Sequence, residues 1–231
     1  MQNVLIDGQE LLFSEFATER ATDEQLHTFE YSKPSADHTY ISQSQNIYDQ
    51  LLINYEYNEL NFQSQPLPKF WNVIVVGAGP SLNEDSLKKI EWSKYDAILL
   101  TLPIVKHFSY LLDSNNVYVV DAEADKFVAL HYYGQEMFEK IRLVCHWYKY
   151  LEKDWNFKSL HFFEDDHESI EYPLSTGALA LKVAFDGIQS ENVEIIGIDC
   201  TGHHQKYLAE TSKILNVNAG RWTFLGKGGG L

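Results

Sequence analysis

The chain has 231 residues, enough for one large α/β domain with a full core and a small appendage. At 45% hydrophobic and 14% aromatic residues it is a folding sequence rather than a disordered one. Its formal net charge of −15 argues against nucleic acid as a partner, because that affinity comes from Lys and Arg neutralising phosphates; one local basic or amide-lined pocket remains compatible with it.

Residues 1–70 are rich in Gln, Asn, Ser, Tyr and Glu, with short apolar patches such as Leu11-Leu12-Phe13 and Leu51-Leu52-Ile53. They read as an irregular or partly helical lead-in, ending where Pro66 and Pro68 stiffen the entry into the first core strand. The opening Met-Gln-Asn-Val-Leu-Ile-Asp-Gly has no basic stretch followed by an apolar core, so no secretory signal is expected. No apolar run approaches the ~20 residues that cross a bilayer. Cys145 and Cys200 both end apolar runs and read as buried thiols, which fits a reducing compartment; the expected location is the cytoplasm.

Residues 72–83, Asn-Val-Ile-Val-Val-Gly77-Ala-Gly79-Pro80-Ser81-Leu82-Asn83, carry the most information. The apolar run reads as a parallel strand covered on both faces. Gly77 and Gly79 permit a sharp turn with exposed amides, and Pro80 suits the first position of a helix. Such a helix start is an anion site, most often for phosphate; a glycine-rich connection without ligand is the plain alternative. The stretch departs from the dinucleotide fingerprint twice. Leu82 stands at the third glycine position, and the second strand ends Leu100-Thr101-Leu102 with no ribose-binding acid, which disfavours a redox cofactor.

From residue 71 onward strands are expected at 72–76, 96–102, 116–120, 141–145, 159–163, 193–198 and 221–225. Helical spacing is expected at 80–91, 103–112, 124–139, 176–189 and 204–215. This alternation predicts a doubly wound, mostly parallel, Rossmann-like α/β sheet over 71–231 with helices on both faces. Ligands bind such sheets at the carboxyl ends of the strands, where the strand order reverses.

The residues after each strand therefore matter most. Thr101 places a hydroxyl in the crevice. Asp121, Glu123 and Asp125 could hold a divalent metal or form the acidic first turn of a helix, and Glu164-Asp165-Asp166-His167 reads as a polar loop. Ser175 or Thr176 caps the next helix, and Gly177 in its first turn suggests either close approach of a ligand or ordinary capping with a tolerated glycine. Asp199 closes a buried strand, where a carboxylate is costly unless it binds something; it could cap a turn, or hold a ribose hydroxyl or metal. His203 and His204 follow, either one a candidate acid or base. Cys145-His146 and Cys200 with His203 and His204 match no standard zinc spacing, so no metal site is assigned. Trp147, Tyr148 and Tyr150 fit a subunit contact or core packing, which leaves oligomerisation open.

Gly77-Ala-Gly79-Pro80-Ser81-Leu82, Ser175-Thr176-Gly177 and Ile196-Gly197-Ile198-Asp199, in this order, resemble a superfamily with three branches. These are the bacterial sialyltransferases, the motility accessory factors implicated in flagellin glycosylation, and the 6-hydroxymethylpterin diphosphokinase-like proteins. The similarity spans roughly 72–225. The sialyltransferase branch implies a CMP-activated sugar in the crevice and a glycan or protein acceptor. Gly77, Gly79, Pro80 and Ser81 would then lie near nucleotide and phosphate, with Ser175, Thr176, Gly177 and Asp199 lining the donor site. Thr101 falls where that family has an Asn. Gly202-His203-His204-Gln205 is the nearest match to its Gly-His-Ser-Lys segment, which makes His203 the base. No metal is implied by that branch. The diphosphokinase branch implies ATP with magnesium, and a non-catalytic nucleotide-binding module is the third alternative. Unlike the sialyltransferases, this chain runs from Asp199 to His203 without an inserted lid and acceptor segment.

Overall fold

Runs of β-branched and aliphatic residues become strands covered on both sides, and their order sets the architecture. The computed structural model describes residues 3–6, 9–12, 56–114, 116–122, 135–146, 151, 155–163, 175–200 and 207–225. Two strands, β1 (Asn3–Ile6) and β2 (Gln9–Leu12), pair antiparallel. This hairpin differs from the irregular or helical lead-in expected there. The signal overlooked is Asp7-Gly8, a dipeptide that favours tight hairpin connections. Residues 56–61 are helical, as the lead-in reading allowed.

Seven strands build the main sheet: β3 (Asn72–Val76), β4 (Ala97–Thr101), β5 (Val117–Val120), β6 (Arg142–His146), β7 (Ser159–Phe163), β8 (Asn192–Ile196) and β9 (Trp222–Phe224). Each coincides with an expected strand. Their order is β7-β6-β5-β4-β3-β8-β9 and every pairing is parallel. The chain moves outward from β3 to β7, then returns to lay β8 against the other side of β3. The strand order therefore reverses between β3 and β8.

Residue alternation sorts the core into two layers. Val73, Val75, Ala97, Leu99, Tyr118 and Val120 face one side, under the helix Thr176–Lys182 and under Ile214 and Leu215 of the helix Leu208–Val217. Ile74, Val76, Ile98, Leu100, Val117 and Val119 face the other, beneath Ile104, Val105, Phe108 and Phe138. Right-handed crossovers explain the division: connections on the way out lie on one face, and those made after the reversal lie on the other. The fold is thus a doubly wound α/β sheet.

The connections depart from the expected helices. The predicted helix 80–91 shrinks to Glu84–Leu87, and Pro80 lies in a turn rather than at a first helical position. Asn83 is the stronger start: its side chain accepts from Ser86 N while Ser86 Oγ accepts from Asn83 N, a reciprocal capping box. Residues Leu102–Leu111 form a 3₁₀ segment broken at Phe108, whose backbone leaves the helical region. The helix expected at 176–189 begins as α and widens into a π turn over Val183–Gly187. The expected helix 124–139 is described only at Gln135–Lys140, as 3₁₀; the rest lies outside the described residues. One sheet edge is sealed by the segment before β3. Gln65 N donates to Leu160 O at 2.8 Å, Phe162 N to Ser64 Oγ at 2.9 Å, and the buried His161 ring bonds Gln65 O. Burial holds that imidazole below its ordinary value, against the Gln65 and Pro66 carbonyls that favour its charged form and with the Arg142 charge acting alongside burial.

Candidate functional site

The reversal between β3 and β8 gathers most of the residues expected to bind a ligand. Val76 pairs with Leu100 on one side and Ile196 on the other, so the next residues, Gly77, Thr101 and Gly197, stand level at the carboxyl edge of the sheet. β8 ends at Ile196, two residues earlier than expected, because Gly197 takes a φ of +73°, which side-chain-bearing residues rarely adopt. The chain then folds Ile198 and Asp199 back over the glycine turn.

The two turns are in backbone contact. A Cβ on Gly197 would overlap the Gly77 carbonyl; one on Gly77 would overlap the Gly197 carbonyl and Ile198 Cδ1; one on Gly79 would overlap the Asp199 carboxylate. Hydrogen bonds then sew the turns together. Gly77 N donates to Ile196 O and Gly79 N to Gly197 O, both at 2.8 Å. Ser81 is the clasp: its amide donates to Asp199 Oδ2 at 2.7 Å, and its hydroxyl accepts from Gly197 N at 2.8 Å. Leu82 N donates to Gly79 O and Asn83 N to Ser86 Oγ.

This corrects the expected anion cradle. Between Gly77 and Asn83, Ala78 alone keeps an N–H without an acceptor among the described residues. Asp199, a carboxylate only 6% exposed, already supplies negative charge where a phosphate was expected. The helix beyond is one turn long and starts four residues after Pro80, at Glu84, so its dipole does not reach the turn. The glycines are required here by close packing.

The second expected site is built differently. Ser175 caps the Thr176 helix, accepting from Ala178 N at 3.1 Å. Thr176 Oγ1 accepts from Ala122 N, just after β5, at 3.3 Å. A Cβ on Gly177 would stand 3.2 Å from Ile198 Cδ1, a tight but adjustable contact. The helix start thus spans from the end of β5 to the turn after β8. Beneath it, alternation puts Thr101 on the same face as Ala97 and Leu99. Thr101 is 4% exposed, and its hydroxyl has no hydrogen-bond partner among the described residues. A buried unpaired hydroxyl is costly and asks for an explanation.

Asp121 is buried after β5, whereas Glu123, Asp125 and the 164–167 loop lie outside the described residues. Among the described residues no group of three His, Cys, Asp or Glu side chains could hold a metal. Cys145 and His146 are buried in and at the end of β6. Burial pushes the Cys200 thiol up, against a hydrogen bond with Thr211 and with the Asp199 and Glu210 charges adding to the rise, so it is a poor thiolate ligand. His203 and His204 lie outside the described residues. No helix is long and apolar enough to cross a membrane among the described residues.

The sequence reading missed the Ser81–Asp199 clasp and the Ala122–Thr176 tie. The Gly-x-Asp spacing of Gly197 and Asp199 is the signal that could have revealed the first. Compared with family models, curated proteins and solved structures, the chain finds no match in any of the three.

Proposed function

We propose that this chain binds a nucleotide-activated sugar in the crevice at the β3/β8 reversal and transfers the sugar to an acceptor hydroxyl, as a sialyltransferase-like glycosyltransferase using a CMP-activated donor. One observation carries the reading: a sealed, unpaired hydroxyl, Thr101, stands level with Gly77 and Gly197 at the one place where the strand order reverses. Ligand crevices of doubly wound sheets lie at such reversals. The phosphate contact is assigned to the start of the Thr176 helix rather than to the glycine turn, whose amides are used internally.

In the proposed reaction His203 takes the proton from the acceptor hydroxyl. The oxygen attacks the anomeric carbon, and the bond to the CMP phosphate breaks with its electrons. Magnesium has no role in this step.

The test is a melting-temperature panel of CMP, CDP, UDP, GDP, AMP and ATP, with and without magnesium, since a ligand of the folded state raises the transition by mass action. A metal-independent CMP shift is expected. His203→Ala should then abolish transfer from a CMP-sugar while leaving CMP affinity nearly unchanged. A magnesium-dependent ATP shift would move the assignment to the diphosphokinase-like reading, and silence across the panel would remove the nucleotide assignment.

A further inference from the structure

The segment before β3 wraps the outer edge of β7, the strand at the far end of the sheet. Phe62 packs into the core layer on one face of the sheet, and Leu67 and Phe70 into the layer on the other. Two amides fix the crossing: Gln65 N donates to Leu160 O, and Phe162 N donates to Ser64 Oγ. A third tie is different in kind, because it runs through the titratable ring of His161.

The Gln65 carbonyl can only accept, so His161 Nδ1 carries the proton in the 2.9 Å bond to it. Nε2 then accepts from the Ser159 hydroxyl at 2.8 Å. This is a neutral imidazole, 3% exposed, with both nitrogens used. A further proton must sit on Nε2. The Ser159 hydroxyl then has to turn and accept, and a positive charge is created in a site closed to water.

The titratable groups on the surrounding elements do not offset that charge. On β6, Arg142 pairs with Ser159 and His146 with Phe163, so both share the face of His161. On β5, Tyr118 meets the ring edge-on at 5.4 Å, and burial keeps its phenol protonated against the pull of Arg142. Residues 61–68, Asn-Phe-Gln-Ser-Gln-Pro-Leu-Pro, carry no ionisable side chain. Burial first, with the Arg142 charge alongside it, outweighs the Gln65 and Pro66 carbonyls and holds the ring below its ordinary 6.5. Once the segment lifts, water reaches the ring and it takes a proton more readily. The hold on β7 is therefore complete above 6.5 and falls as the pH drops below it.

We propose that residues 62–68 are an acid-released strap: protonation of His161 lifts them from β7 and uncovers the Leu160 carbonyl and Phe162 amide as a free sheet edge, while the rest of the sheet stays folded. The device is independent of the nucleotide reading above.

The experiment is NMR-detected amide exchange of the full chain at about pH 7.5 and about pH 5, corrected for the intrinsic rate at each pH. The Gln65 and Phe162 amides should lose about threefold or more of their protection in acid, while those of Val75 and Leu99 keep theirs. In His161→Asn the amide can still donate to Gln65 O but takes no proton, so the loss should disappear. No loss in the wild type, the same loss in the variant, or a parallel loss at Val75 and Leu99 would each overturn the proposal. If the variant folds poorly, the wild type decides: the midpoint for Gln65 must coincide with the titration of the His161 ring signals. A ring that titrates while the Gln65 amide stays protected would equally overturn it.

Discussion

Two glycine-bearing turns meet in the same crevice, and they are glycine-bearing for different reasons. At Gly77, Gly79 and Gly197 a Cβ would strike backbone or the Asp199 carboxylate, and Gly197 also holds a positive φ. At Gly177 a Cβ would only press on the flexible end of Ile198, in an ordinary helical turn. The first turn is closed by its own hydrogen bonds and acts as a joint between β3 and β8. The second is capped by Ser175, tied to Ala122, and lies over the unpaired Thr101. A glycine after a strand is thus a statement about contact distance before it is one about ligands.

The contrast can be broken by substitution. Gly197→Ala combines a disfavoured backbone region with overlap of the Gly77 carbonyl, so it should cost about 3–5 kcal/mol in urea unfolding, or prevent folding. A loss below about 1 kcal/mol would show that the two turns are not locked together. Ser81→Ala removes the acceptor of Gly197 N and should cost about 1–3 kcal/mol by the same measurement. A neutral result would mean that water replaces the hydroxyl and that the clasp adds little. Gly177→Ala should move stability by less than about 1 kcal/mol, since the helical gain of alanine offsets the pressure on Ile198. If it matched Gly197→Ala in cost, the distinction between the turns would fail.

Much of the fold was legible. All seven sheet strands sit where runs such as Val73-Ile-Val-Val76 and Ala97-Ile-Leu-Leu100 predict them, because a strand buried on both faces must be continuously apolar. The helices were less legible. Pro80 fitted a helix start, but Asn83 and Ser86 cap each other three residues on, and residues 79–82 are held instead by their bonds to each other, Gly197 and Asp199. Of the candidate site, the positions of Gly77 and Ser81 in the turn after β3, Thr101 at the end of β4, Asp199 after β8 and Ser175–Gly177 at a helix start were legible. Their division of labour was not, because it depends on contacts such as Ser81 to Asp199, 118 residues apart in sequence.

By itself, then, the sequence determined the alternation of strands and connections and which residues end each strand, since both follow from local hydrophobic period and turn chemistry. The tertiary structure alone decided the reversal at β3/β8, the use of the glycine-turn amides by Gly197 and Asp199, and the unpaired state of Thr101. Hydrogen bonds are assigned by proximity in space, and a donor that looks free along the chain is free only if no distant acceptor reaches it first.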